Sequence, residues 1–83
     1  MYQTIHESIE VAGVFTPGKF SPTKFRWGKK TFAVEAITLL SRERDGLVPI
    51  HHYSVVASGT VFRLSFHPDN LAWFLEEVWQ EGA

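Results

Sequence analysis

Residues 51–66, HHYSVVASGTVFRLSF, carry the clearest fold signal in the chain. Ser58-Gly59 stands between two runs rich in β-branched and aromatic residues, which is the pattern of a two-residue hairpin loop. This loop places the apolar side chains of both runs on one face of the hairpin. The pairs on that face are Val55 with Phe62, Tyr53 with Leu64, and His51 with Phe66. The alternation predicts an antiparallel sheet that is covered on one face.

A second hairpin is predicted over residues 24–34, KFRWGKKTFAV. Gly28-Lys29 suits a type II′ turn, which requires glycine first. In this register the apolar side chains share one face, while the basic side chains lie on the other face or at the tip. The apolar set is Phe25, Trp27, Phe32 and Val34, and the basic set is Lys24, Arg26, Lys29 and Lys30. The rings therefore point to the core, away from most of the charges.

The first strand and the middle of the chain also read as β-structure. Pro17-Gly18 suits a type II turn that ends the run IHESIEVAGVF. The more apolar face of that run is expected to turn inward. Its members are Ile5, Glu7, Ile9, Val11, Gly13 and Phe15. Residues 41–49 are either a charged loop or the tip of a long hairpin, with Arg42 and Arg44 in solvent.

Residues 69–79 fit two interpretations. If the segment is a helix, Asp69 would cap its N-terminus, and an apolar stripe would follow along one face. As a strand, residues 67–70 would form a loop, and the apolar face of the preceding hairpin would continue without a break. The strand pairs would be Phe66 with Leu71, Leu64 with Trp73, and Phe62 with Leu75. The strand is favoured because local pattern and sheet agree.

These patterns together predict an all-β fold. We expect a small, strongly curved antiparallel sheet or SH3-like half-barrel of five to six strands, built from consecutive hairpins over a single domain, residues 1–83. Eight side chains are predicted to share one core: Phe25, Trp27, Phe32, Tyr53, Val55, Phe62, Leu64 and Trp73.

The second hairpin also resembles a signature found in a family of small uncharacterised bacterial proteins, P-x-x-F-x-W-x-G-[RK]-x-[YF]-x-V. Matching positions here begin at Pro22 and end at Val34, with Phe25, Trp27 and Phe32 between them. Further matches are Tyr53, Val55, Gly59, Phe62, Leu64 and Trp73, so the resemblance covers residues 9–79. The turn glycine, Gly28, lies one residue earlier than in the family pattern. The resemblance implies a curved β-sheet or half-barrel and no particular activity.

Composition and charge exclude some classes of protein. Apolar residues make up 45% of the chain, which is too many for disorder. The net charge of −1 gives no overall attraction to nucleic acid or anionic lipid. No cysteine, secretory leader or apolar span is present, so we expect a cytoplasmic protein without membrane association.

No catalytic pattern is visible. The chain lacks a nucleophile elbow and a phosphate-binding loop, and His51-His52 would point to opposite faces of a strand. A chain this short also has little material for a pocket of several hundred Å3. We therefore expect no enzyme activity, cofactor, metal or small-molecule substrate.

Two functions compete. The first is a protein-interaction module, most simply a homodimer, that covers apolar side chains left on the outer face. These are Val56, Val61, Phe74 and Trp79, with Val78 beside them. The second is weak, non-specific nucleic-acid binding by the basic segment between residues 19 and 30. Its contacts would be Lys24, Arg26, Lys29 and Lys30.

Overall fold

The computed structural model describes residues 2–80, which form one antiparallel sheet of seven strands. The strands are β1 (Tyr2–Thr16), β2 (Lys19–Trp27), β3 (Lys30–Ala33), β4 (Ala36–Asp45), β5 (Val48–Ala57), β6 (Thr60–His67) and β7 (Ala72–Gln80). Their order in the sheet is β3-β2-β1-β7-β6-β5-β4. The predicted all-β class and curved antiparallel sheet are confirmed. The strand count is seven rather than five to six, and residues 72–80 are a strand, not a helix.

The two edge strands of the sheet are consecutive in the chain, and this forces the sheet to curl. Val34 and Glu35 alone separate β3 from β4. The Val34 amide donates to the Thr23 carbonyl at 2.9 Å, and the Glu35 amide donates to the Val56 carbonyl at 2.7 Å. These bonds hold the two-residue link against β2 on one side and against β5 on the other, at one end of the half-barrel. Within residues 2–80, β4 pairs only with β5. The two edges of the sheet therefore stay apart at the other end of the half-barrel.

Strand β1 serves both halves of the sheet because two irregularities bend it. Its first part pairs with β7 and its second part with β2. The register shifts between Thr4 and Glu7, where His6 has a φ of 54°, and again between Ala12 and Gly13. Bulges of this kind increase local twist and re-aim the strand.

The core lies on the concave face and centres on an aromatic group around Phe62. Its ring lies 5.0 Å from Phe25, 4.9 Å from Phe32 and 6.5 Å from Trp27. Six of the eight predicted core side chains are buried, while Trp27 and Trp73 are half-buried and pack against the others. The buried six are Phe25, Phe32, Tyr53, Val55, Phe62 and Leu64.

Both predicted hairpin registers are confirmed. Phe25 pairs with Phe32 across β2 and β3, and Val55 pairs with Phe62 across β5 and β6. The φ of Gly28 is 63°, as its place in the turn requires. Residues 41–49 are the outer end of the β4–β5 hairpin, which turns at Gly46-Leu47.

The predicted register of the last strand is wrong by two residues. Phe66 pairs with Trp73, and Leu64 pairs with Leu75. The loop comprises residues 68–71, because Asn70 Oδ1 accepts from the Ala72 amide at 3.1 Å and Leu71 has a φ of 57°. A bulge opposite Arg63 and Leu64 then moves Phe62 opposite Val78.

This register changes the predicted surroundings of three side chains. Val78 packs against the core instead of lying on the outer face. Phe74 lies opposite Ser65 and not opposite Arg63, where the predicted register of Leu64 with Trp73 would place it. Arg63 instead pairs with Glu77 at 3.3 Å and with Glu43 at 3.6 Å.

The inward face of β1 is only partly as predicted. Ile9 is buried, and Ile5 and Val11 pack against the core. Glu7 and Phe15 are exposed, because the two irregularities interrupt the alternation. The Glu7 carboxylate instead accepts a hydrogen bond from Trp27 Nε1 at 2.8 Å.

Candidate interaction surfaces

An apolar row crosses the outer, convex face of the sheet. Val56 pairs with Val61, and Val61 pairs with Trp79, on three neighbouring strands. The valines are half-buried and Trp79 is 39% exposed. Ala36 extends the row to the edge at β4. The sheet therefore brings together three of the four side chains that the sequence places on the outer face.

Edge strand β4 adds apolar side chains that sequence reasoning missed. Ile37, Leu39 and Leu40 are all exposed, Leu39 by 58%. Leu39 lies opposite Ser54, on the same face as Val56, and so widens the outer row. All three residues also line a cavity of about 250 Å3 at the seam between β2 and β4. We call Leu39, Val56, Val61 and Trp79 the outer patch.

Phe74 lies apart from the outer patch and is covered within the chain. The His6 ring stacks on it at a centroid distance of 5.0 Å and an angle of 4°. The His67 ring meets it edge-on, also at 5.0 Å. These contacts leave Phe74 half-buried, and the row of Arg63 and Glu77 separates it from the patch.

A polar cluster beside Phe74 centres on the Glu76 carboxylate. It accepts a hydrogen bond from Ser65 Oγ at 2.5 Å, and His6 Nδ1 lies 2.6 Å from its other oxygen. Burial alone would raise the pKa of Glu76, but these hydrogen bonds and the charges of His6 and His52 outweigh it and lower the pKa. Ser65 is fully buried, so its hydroxyl serves as a structural donor and not as an exposed nucleophile.

Replacing Glu76 by glutamine is expected to remove part of the acid sensitivity of folding. Because the pKa of Glu76 is lower in the folded chain than its usual 4.5, its ionised form favours folding above pH 4.5. That contribution is lost as the pH falls through the folded-state pKa. Glu76→Gln should cost about 1 kcal/mol at pH 7 and progressively less in acid. Urea unfolding from pH 7 to 3 measures this, with exposed Glu10→Gln as control; a difference that is constant with pH would contradict it.

The basic side chains of the β2–β3 hairpin are exposed, and several have partners within the chain. Arg26 lies 3.8 Å from Glu10 and donates through Nε to the Gly28 carbonyl at 3.2 Å. Lys30 lies 5.2 Å from the centre of the Phe32 ring. Lys24 and Lys29 complete the predicted set. The large rings of this hairpin are buried or half-buried, so exposed stacking platforms for bases are missing here. Nucleic-acid binding stays a prediction that rests on charge alone.

A cavity of about 660 Å3 opens at the end of the half-barrel where the edges stay apart. This cavity is larger than expected for so short a chain. The curl of one sheet encloses the cavity without a second layer. Aromatic side chains from four strands form its wall: Phe20, Tyr53, Phe66 and Trp73. Trp73 is central, with rings at 4.8 Å (Phe66), 5.4 Å (Tyr53) and 5.7 Å (Phe20).

The charged side chains that line this cavity are basic. Lys19 and Arg42 line it together with His51, and none of the acidic side chains that the structure describes does so. Burial, helped by the charges of Arg42 and His52, lowers the pKa of His51, which is therefore neutral at pH 7. Burial also raises the pKa of Tyr53, although Arg42 opposes this, so the phenol keeps its proton. Arg42 is exposed, as predicted, and it also lines the cavity.

Other kinds of site are not apparent in the described part of the chain. No group of three or more His, Asp or Glu side chains among residues 2–80 is placed to hold a metal ion. None of the described residues belongs to a helix that is long and apolar enough to cross a membrane.

Comparisons with protein-family models, with curated proteins and with solved structures each found no match. The resemblance to a bacterial family through the β2–β3 hairpin therefore stays a prediction.

Proposed function

We propose that this protein is a small, non-catalytic interaction module that associates with a second copy of itself through β4 and the outer patch. The observation that supports it is the edge strand of ten residues whose first half carries three exposed aliphatic side chains. Unpaired backbone donors and acceptors beside exposed apolar side chains form a template for strand pairing. A cytoplasmic location is part of the proposal, since the chain has no cysteine to form disulfides.

The charge distribution along β4 favours pairing through its first half. Residues 36–40 carry no charge, whereas Arg42, Glu43 and Arg44 follow toward the hairpin tip. Charged side chains are a common protection of sheet edges. The uncharged half is therefore where another strand can approach.

A second copy is the simplest occupant of this edge. Antiparallel pairing of β4 with β4 of another copy uses the same edge twice, so one contact covers the β4 edge of both copies. It also brings Leu39 of each copy next to the outer patch of the other copy. The edge that remains in each copy is β3, and its length of four residues makes it a poor template for further pairing, so the dimer is closed.

Light scattering across the micromolar range tests the proposal. The expected mass is twice 9.5 kDa at high concentration. Leu39→Lys should weaken dimerisation by about tenfold or more, because two like charges would meet beside the symmetry axis. Since Leu39 is exposed, the free energy of unfolding of this variant should differ from that of the parent by less than about 0.5 kcal/mol.

The matched control is Leu47→Lys, a leucine that is 91% exposed at the β4–β5 turn and outside the patch. This variant should dimerise like the parent. A mass of 9.5 kDa for the parent throughout the range would refute self-association. A dimer that Leu39→Lys leaves unchanged would show that another surface carries it.

A further inference from the structure

We propose that the cavity at the open end of the half-barrel binds a small aromatic carboxylate. This goes beyond self-association, because the cavity lies on the concave face while the outer patch is convex. Its volume of about 660 Å3 falls in the usual range for small-molecule sites, roughly 300–1,000 Å3.

The wall of the cavity is suited to a ligand with a flat, apolar ring system. Phe20, Tyr53 and Phe66 surround Trp73, each with its ring centre within 6 Å of the indole. Their rings are tilted by 32–47° to the indole, so they present both faces and edges to the space between them. Aromatic ligands make offset and edge-on contacts with such walls.

The mouth of the cavity selects a negative charge. Lys19 and Arg42 both line it, and neither has an ion-pair partner among the described side chains. By contrast, Arg26 and Arg63 each lie within 4 Å of a glutamate. A carboxylate gains two-point contact with a guanidinium, which Arg42 is able to offer beside an apolar wall.

Exposed apolar side chains at the mouth give an independent indication that something covers them. Phe15 is 80% exposed and Leu71 is 76% exposed, and both line the cavity. Leu71 also has a φ of 57°, an unfavourable conformation for a leucine. Such conformations concentrate at ligand clamps and active sites. The body of a bound ligand would remove both side chains from water.

Calorimetric titration with 2-naphthoate tests the site, and 2-naphthamide is its neutral isostere. We expect saturable, one-to-one binding of the carboxylate and about tenfold weaker binding of the amide. In Arg42→Gln the preference for the carboxylate should disappear, while amide binding stays as in the parent. The control is Arg44→Gln, on the same strand but outside the cavity wall, which should bind both compounds like the parent. Repeating the titrations in Leu39→Lys separates the result from self-association.

Three outcomes would overturn the proposal. The first is no saturable binding of 2-naphthoate in the millimolar range by the folded parent. The second is equal affinity for the acid and the amide. The third is tighter binding of decanoate than of 2-naphthoate, which would assign the cavity to an aliphatic acid.

Discussion

Replacing Phe62 by alanine is expected to unfold the protein at ordinary temperature or bring it close to unfolding. The ring is 2% exposed and contacts Phe25, Phe32 and Trp27 at once. Removing such a side chain from a core costs about 3–5 kcal/mol, since a cavity is left where the ring was. A domain of 83 residues has a total stability of about 4–12 kcal/mol. Urea unfolding followed by tryptophan fluorescence measures the difference.

Phe15→Ala is the matched control for the loss of Phe62. The same atoms are removed from a ring that is 80% exposed and lies at the cavity mouth. Its free energy of unfolding should stay within about 1 kcal/mol of the parent. If Phe62→Ala and Phe15→Ala unfold at the same urea concentration, the core does not centre on Phe62.

The hairpins could be predicted because the information that sets their register is local. At Gly28-Lys29 and Ser58-Gly59 a two-residue loop leaves one way to pair the flanking residues. The four-residue loop before β7 does not limit the register in this way. There the outcome depends on the Asn70 hydrogen bond and the positive φ of Leu71, for which the sequence carries no reliable signal.

The sheet edges and the cavity could not be predicted, because both depend on strand order. The pattern in the middle of the chain predicts β-structure but not its place in the sheet, and only the observed strand order leaves β4 at an edge. In the same way, the sequence pattern predicts Trp73 to be a core residue, and its side chain does pack against the core. That it also lines a cavity follows from the edges staying apart at one end. Arg42 enters that cavity for the same non-local reason.

Gly13→Ala is expected to have the second-largest effect on stability, through a close approach of two strands. A Cβ at Gly13 would lie 2.6 Å from the Phe20 ring and 2.8 Å from Pro22 Cα, and would also collide with the Ser21 carbonyl oxygen. Two of these three contacts are with backbone, so β1 and β2 must separate at the bulge. Overpacking of this kind costs about 1–3 kcal/mol or more. In a domain this small, the midpoint of thermal unfolding should fall by about 4–24 °C.

Gly46→Ala separates this steric cause from the general loss of a glycine. Gly46 has a φ of 65° and nothing within 4 Å of an added Cβ, so its replacement costs only the left-handed backbone conformation, about 1 kcal/mol. Gly13→Ala should be less stable than Gly46→Ala, and it should also bind 2-naphthoate more weakly, because Phe20 is displaced from the cavity wall. Gly46→Ala should bind like the parent. If Gly13→Ala melts above Gly46→Ala with unchanged binding, then β1 and β2 do not approach at Gly13 as described, and the cavity wall does not depend on that approach.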